Sequence, residues 1–128
     1  MAESPPAPGQ RLLIEAYGPG RLRIGGVVHQ RPVIVLPGAV IEWPIDSIAA
    51  LSRESLAAVI GAAPKVEILI VGCGARLVPV LPTLRQDLRA AGLSIDTMDT
   101  GAACRTYNVL LAEGRRVAAA LIPLPIVP

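Results

Sequence analysis

The period of the apolar residues changes near residue 50, and this change constrains the fold more strongly than any other feature of the sequence. In the first half, short apolar runs are joined by tight turns such as Gly25 and Gly26, which can both take positive φ. In the second half, apolar runs typical of buried strands alternate with stretches of helical period. This order predicts a partly parallel sheet with crossover helices, and a β-rich first half that needs a partner layer.

The same patterns assign the individual elements. Ser52 is a candidate N-cap for the first helix, and Leu81, Leu84 and Leu88 form the apolar side of the second. Helices are predicted over residues 52–61, 79–92 and 101–113, each closed by a glycine. Strands are predicted over residues 11–17, 21–24, 27–29, 33–36, 39–43, 66–71, 93–98 and 116–122.

The length of 128 residues predicts one α/β domain over residues 11–128, preceded by a disordered Pro-rich tail at residues 1–10. The hydrophobic content is 52%, but no run reaches the ~20 apolar residues of a membrane-spanning helix. The tail also lacks the basic and apolar stretches of a signal peptide. We therefore expect a cytoplasmic protein, with any membrane association being peripheral.

Charge and cysteine usage narrow the function further. Twelve basic residues nearly cancel ten acidic ones and are scattered, and aromatic residues are scarce, so no nucleic-acid interface is expected. Two cysteines without CxxC or Cys/His spacing predict neither a disulfide framework nor a zinc site, and they fit a reducing compartment. His29 alone cannot build a metal site. No cofactor is expected.

Two loops should meet at one edge of the sheet. If strands 66–71 and 93–98 are parallel neighbours, the loops at residues 72–76 and 99–108 both follow carboxyl ends of strands, where open α/β sheets bind ligands. Gly72 and Gly74 suggest a phosphate loop, but a dinucleotide fingerprint needs a third glycine where Leu77 stands. An anion received by these glycines with Arg76 and Arg105 remains an alternative, and so does a plain turn.

The cysteines offer a second chemical hypothesis. Cys104 lies in the first turns of a helix, where the dipole can lower a thiol pKa, but a nucleophile also needs a nearby base. Cys73 could approach Cys104 at the shared sheet edge as a redox pair. Two buried apolar thiols are the favoured interpretation. Asp99 is best explained as the cap of the helix that contains Cys104.

The most polar stretch of the second half is Arg105 to Asn108. On a helix Arg105 and Asn108 share a face, whereas Tyr107 turns towards Cys104 and Leu111. One interpretation is a packed tyrosine with a satisfied hydroxyl beside a solvated arginine. The other is a contact with a ligand or partner, because Tyr and Arg are enriched at interfaces. The candidate ligand or partner surface comprises Gly72, Gly74, Arg76, Thr100, Arg105, Tyr107 and Asn108.

Two segments carry a resemblance to a known family: MDTGAACRTYNVLLAEGRRVAAALIPL at residues 98–124 and ILIVGCGARL at residues 68–77. They resemble a small single-domain family of unknown biochemical function whose eukaryotic members are mitochondrial assembly factors for respiratory complex I (NADH:ubiquinone oxidoreductase). The resemblance covers nearly the whole chain after the tail. The family pattern matches Gly72, Gly74, Met98, Thr100, Ala103, Arg105, Thr106, Tyr107, Asn108, Glu113, Gly114 and Arg115.

The resemblance implies a three-layer α/β fold with a central mixed sheet, helices on one side, and β-hairpins plus a helix on the other. One strand should run antiparallel to the rest, and we expect it to be the last. It also implies a bacterial or organellar protein that helps to build complex I or a related membrane complex, by binding respiratory subunits or a second assembly factor. It brings no catalytic residues, cofactor or metal.

Three functional hypotheses follow. The favoured one is a non-enzymatic assembly or interaction protein. The second is a binding protein for a small anion or nucleotide, or an enzyme, that uses the crevice formed by residues 72–76 and 99–108. The third is a thiol-redox protein that uses Cys73 and Cys104.

Overall fold

A computed structural model describes residues 12–126, so the predicted tail at residues 1–10 lies outside the described residues. Within the described range the strands are β1 (Ile14–Gly18), β2 (Arg21–Ile24), β3 (Val27–His29), β4 (Val33–Leu36), β5 (Ala39–Glu42), β6 (Ile68–Gly72), β7 (Ser94–Met98) and β8 (Val117–Leu121). The α-helices are α1 (Ala57–Ile60), α2 (Pro82–Ala90) and α3 (Thr100–Ala112), and 3-10 turns lie at Ile48–Ala50 and Glu54–Leu56. All eight predicted strands are present, with small differences at their ends.

The central sheet has the strand order β5-β4-β8-β6-β7. Strand β6 pairs in parallel with both β7 and β8. Helix α2 connects β6 to β7 and α3 connects β7 to β8, and each crossover helix carries the chain back so that the next strand starts at the same end of the sheet. Strand β4 runs antiparallel to both of its neighbours, β5 and β8. The expectation that the last strand is the antiparallel one is therefore wrong: β8 is parallel to β6, and the reversed strand is β4, which enters through a hairpin with β5.

Each face of the central sheet is covered by a different layer. On one face, Leu56 and Val59 of the short helical segment and Leu88 of α2 pack with Trp43 against β6 and β8. On the other face, the three-stranded sheet β1-β2-β3 and helix α3 bury a second cluster. The three-layer fold with a central mixed sheet is confirmed. Strand β8 is buried at every position, as expected for a central strand covered on both faces.

Local chemistry explains where the turns and helices begin. Gly25 and Gly26 have φ of 56° and 82°, so the predicted two-residue turn joins β2 to β3. The hydroxyl of Ser52 accepts a bond from the Ser55 amide at 3.1 Å, but the predicted helix is divided into a 3-10 turn and the single turn of α1. Helix α2 starts only at Pro82, because Leu81 has extended backbone with ψ of 136°.

Candidate functional site

The predicted meeting of two loops at one sheet edge is correct. Gly72 at the end of β6 is paired with Met98 at the end of β7 and with Leu121 at the end of β8. The Cys73 amide donates to the Met98 carbonyl at 2.8 Å, and the Ile122 amide donates to the Gly72 carbonyl at 3.0 Å. The segments after all three parallel strands therefore leave the sheet together, and we call this region the carboxyl edge.

Thr100 joins these segments by hydrogen bonds. Its hydroxyl accepts a bond from the Gly74 amide at 2.8 Å and donates to the Ile122 carbonyl. Its own amide donates to the Gly74 carbonyl at 2.8 Å. Because Thr100 is fully buried, these bonds are shielded from water and join the loop after β6, the start of α3 and the segment after β8.

The glycines of the loop after β6 allow this close packing against Thr100. A Cβ placed on Gly72 would lie 2.9 Å from Oγ1 and 3.0 Å from Cα of Thr100. Gly74 has φ of +90°, a conformation that L side chains rarely adopt. The amides of Cys73 and Gly74 are already bonded inside the fold, so they are not available to a phosphate. The arrangement agrees with a tight turn rather than with a phosphate loop.

The two cysteines are separated by the sheet. Cys73 belongs to the core cluster on one face and Cys104 to the cluster on the other, so the proposed redox pair does not form in this fold. Burial raises the pKa of the Cys73 thiol and raises that of Cys104 to about 12, although the charge of Arg105 opposes the shift at Cys104. Both thiols are therefore neutral at physiological pH, and the hypothesis of an activated thiol loses its basis.

Helix α3 begins as the sequence predicts. The carboxylate of Asp99 accepts a bond from the Ala102 amide at 2.9 Å, which is the expected N-cap interaction. This cap fixes the direction in which α3 leaves the carboxyl edge.

Tyr107 and Asn108 attach α3 to the first strand. The Tyr107 hydroxyl donates to the Leu12 carbonyl at 2.8 Å, and burial raises the pKa of Tyr107. The Asn108 side chain accepts from the Ile14 amide and donates to the Ile14 carbonyl, both at 2.9 Å. These bonds hold the three-stranded sheet against α3, so the interpretation of Tyr107 as a packed residue with a satisfied hydroxyl agrees with the structure.

The candidate surface must therefore be narrowed. Gly72, Gly74, Thr100 and Tyr107 are buried, and they hold the fold instead of facing a partner. Arg105 is exposed, and its guanidinium bonds to the hydroxyl of Tyr17, whose ring lies against Gly101. Arg76 is also exposed. Of the seven predicted residues, Arg76 and Arg105 are the ones with exposed side chains.

An exposed apolar loop contains Arg76, and the sequence analysis does not predict it. It spans residues 75–81 between β6 and α2, and we call it the apolar loop. Leu77 is 56% exposed, Val78 37% and Leu81 69%. The helical spacing predicts Leu81 on the apolar side of a helix, but α2 starts one residue later, and only Leu84 and Leu88 turn towards the core. Pro79 and Pro82 were the available signal, because two prolines this close disfavour helix between them.

An apolar groove adjoins this loop. It has a volume of about 190 Å³ and is lined by Ile48, Ala49 and Leu51 on one side and by Val78 and Leu84, among others, on the other. Over residues 12–126, no group of three His, Cys, Asp or Glu side chains could hold a metal ion. In the same range, no helix is long and apolar enough to cross a membrane.

This chain is similar in sequence and in structure to several known proteins. The chain is 38% identical to an uncharacterized protein of Rhodobacter capsulatus, covering 98% of this chain and 95% of that protein. It is 36% identical to NADH dehydrogenase [ubiquinone] 1 alpha subcomplex assembly factor 3 of Xenopus tropicalis, covering 91% of this chain but only 64% of the assembly factor. A crystal structure of a Bordetella parapertussis protein has 38% identity and a TM-score of 0.81, covering 88% of this chain and 95% of that one.

These similarities confirm the resemblance to the family that includes the complex I assembly factors. The profile of the family described as "Protein of unknown function (DUF498/DUF598)" matches residues 14–122. The match covers β1 to β8, and therefore the central sheet, the layers on its two faces and the carboxyl edge. The chain belongs to the DUF498/DUF598 family.

Proposed function

We propose that this protein is a non-enzymatic assembly factor that supports the biogenesis of respiratory complex I or a related membrane complex by binding its subunits or a second assembly factor. The relationship to assembly factor 3 supports the assignment. This chain spans less than two thirds of that relative, so the partners of the whole relative are carried over only as part of the proposal.

The apolar loop is the observation that carries the proposal. Leu77, Val78 and Leu81 leave three large apolar side chains facing water within five residues. Burying such side chains against a partner contributes about 1.5–3 kcal/mol for each one that becomes fully buried. Arg76 beside them adds charge at the rim, where protein interfaces are usually polar. We therefore propose the apolar loop as the contact with the partner.

The small-ligand alternative has less support in the geometry. Its crevice relied on backbone amides after β6, and those of Cys73 and Gly74 are bonded to Met98 and Thr100. An anion there would have to rely on the exposed side chains of Arg76 and Arg105. The favoured use of this edge is thus a protein contact.

The proposed site of action is the bacterial cytoplasm, at the inner face of the membrane where complex I is built. A partner that belongs to a membrane complex would bring this protein to the inner face of the membrane, with the apolar loop contacting the partner and not the lipid. Cell fractionation before and after a high-salt wash tests this location. Recovery in the periplasm would contradict it.

The test of the function is genetic. The gene is deleted in a bacterial host that makes complex I, and assembled complex is quantified on native gels together with NADH:quinone activity. We expect both to fall, and to be restored by the wild-type gene but not by a Leu77→Ser/Leu81→Ser variant. A Leu13→Ser/Val109→Ser variant is the matched control, because these side chains are exposed elsewhere. Normal assembly in the deletion strain would contradict the proposal.

A further inference from the structure

A cleft lies beside α3 at the outer strand of the central sheet. Along β7 the side chains of Ile95 and Thr97 are buried, whereas those of Ser94 and Asp96 are exposed. Ile95 belongs to the core cluster on the face that α2 covers, so Ser94 and Asp96 point to the opposite face. One face of β7 is therefore covered by α2, and the other borders the cleft.

The cleft has the size of a small-molecule site. Its volume is about 550 Å³, and such sites usually measure roughly 300–1,000 Å³. Half-buried Ile68 and Leu110 form its apolar part, and Thr106 of α3 also lines it. Ile68 and Ser94 are the first residues of β6 and β7, so the cleft lies towards the start of the parallel strands and away from the carboxyl edge.

Three arginines border this cleft: Arg85, Arg89 and Arg115. Arg85 and Arg89 lie four residues apart on α2 and therefore on the same side of that helix. Nη1 of Arg85 donates to the Ile95 carbonyl at 2.8 Å, so this side of α2 lies along β7. A guanidinium has five N–H groups, so the bond fixes the position of Arg85 and still leaves donors for a ligand.

The cleft carries uncompensated positive charge. Its charged residues are the three arginines and one acid, Asp96, which gives a net charge of +2. The ion pairs among residues 12–126 are Arg23–Glu15, Arg31–Glu42 and Arg116–Glu67. None of the four charged residues of the cleft thus has an ion-pair partner in the described part of the chain. A cleft with a net positive charge attracts anions.

We propose that this cleft binds a small organic phosphate monoester that carries hydroxyl groups. At pH 7 a phosphate monoester has a charge of about −1.5 to −2, which matches the net charge of the cleft. Its three terminal oxygens can accept bonds from several arginines, whereas a carboxylate pairs best with a single guanidinium. A hydroxyl of the ligand would donate to Asp96, and the carbon part would lie on Ile68 and Leu110.

The same residues disfavour two other ligands. Inorganic phosphate would use the arginines but neither Asp96 nor the apolar part of the cleft. A nucleic acid presents a row of phosphates, and Asp96 would repel one of them between the arginines. A phosphate monoester uses all three features. The inference goes beyond the proposed function, because binding to the isolated protein does not depend on whether its partner belongs to complex I.

The test is isothermal titration calorimetry with the purified full-length protein. The probes are adenosine 5′-monophosphate and glucose 6-phosphate, and the controls are inorganic phosphate, adenosine and glucose. We expect at least one monoester to bind about tenfold more tightly than inorganic phosphate, and the two uncharged controls not to bind. The proposal is overturned if neither monoester binds, or if inorganic phosphate binds as tightly as both.

Variants of the cleft separate its three features. Arg89→Ala and Arg115→Ala should each weaken monoester binding about tenfold, because hydrogen bonds between charged groups are strong. Arg21→Ala removes an exposed arginine from β2 and should leave binding unchanged. Asp96→Asn should bind inorganic phosphate at least as tightly as the wild type, but the advantage of the monoester over inorganic phosphate should shrink. An equal gain for both ligands would show selection by charge alone and would contradict the role of Asp96.

Backbone amide chemical shifts locate the ligand in the wild-type protein. We expect the Ile68, Ser94 and Asp96 amides to shift when the monoester is added. Shifts confined to residues 72–76 and 99–108 would place the anion at the carboxyl edge and overturn the proposal. Tighter binding of a phosphoserine peptide than of either monoester would overturn the assignment to a small molecule and identify a phosphorylated protein as the ligand.

Discussion

The side-chain amide of Asn108 pairs with both backbone groups of Ile14, although the two residues lie 94 positions apart in the sequence. Both bonds are 2.9 Å long, so the side chain acts as one more partner for β1. It joins β1 of the three-stranded sheet to α3, the helix that packs on the central sheet. One polar residue in a family-matching segment thus has a structural role that its sequence position does not reveal.

Replacing Asn108 with alanine should therefore destabilise the protein. Both backbone groups of Ile14 would lose their partner, and an unsatisfied buried group costs about 1–3 kcal/mol. The free energy of unfolding, measured with urea, is expected to fall by a similar amount. Arg105→Ala is the matched control on the same helix, because its side chain is exposed and should change the free energy by no more than about 0.5 kcal/mol. Equal effects of the two variants would argue against the proposed role of Asn108.

Gly72 should tolerate no side chain. In Gly72→Ala the new Cβ would lie 2.9 Å from the Thr100 hydroxyl and 3.0 Å from its Cα, so α3 would have to move away from the sheet. Such overpacking costs about 1–3 kcal/mol of stability. Gly61→Ala is a suitable comparison, because Gly61 has φ of −89° and its Cβ would meet no atom closer than 3.4 Å. Thermal melting should show a clear decrease for the first variant and little change for the second.

Replacing Thr100 with an isostere that lacks the hydroxyl should destabilise the protein. Thr100→Val keeps the shape but leaves the Gly74 amide and the Ile122 carbonyl without their partner. A loss of about 1–3 kcal/mol for each unsatisfied buried group is expected in urea unfolding. Thr100→Ser keeps the hydroxyl and should lose less stability. If Thr100→Ser is no more stable than Thr100→Val, the hydroxyl does not have the structural role proposed for it.

Structural features that depend on residues close together in the chain could be predicted from the sequence. The Gly25 and Gly26 turn, the Asp99 cap and the parallel pairing of β6 with β7 all follow from local pattern and short crossovers. The reversed strand was misplaced because the pairing of Val35 with Ala119 joins distant parts of the chain. No local propensity encodes such a contact.

The candidate site was harder to predict for a related reason. A polar residue in a turn or on a helix has the same sequence pattern whether it binds a partner or the chain's own backbone. Thr100 and Asn108 use their polar groups inside the fold, and this became visible only with the distances to Gly74 and Ile14. Leu81 shows the opposite case, because an apolar residue at helical spacing lies outside the helix and faces water.

Cys104 should resist modification and respond to pH in a defined direction. Burial raises the pKa of its thiol to about 12 from the usual 9.0, so the unfolded chain releases its proton at lower pH than the folded one. The stabilising contribution of the neutral thiol is complete below pH 9 and is lost as pH rises towards 12. Cys104→Ala should therefore show a smaller loss of unfolding free energy between pH 8 and pH 10 than the wild type. Alkylation of Cys104 at pH 8 should be slow until urea unfolds the protein, and fast labelling of the folded chain would restore the nucleophile hypothesis.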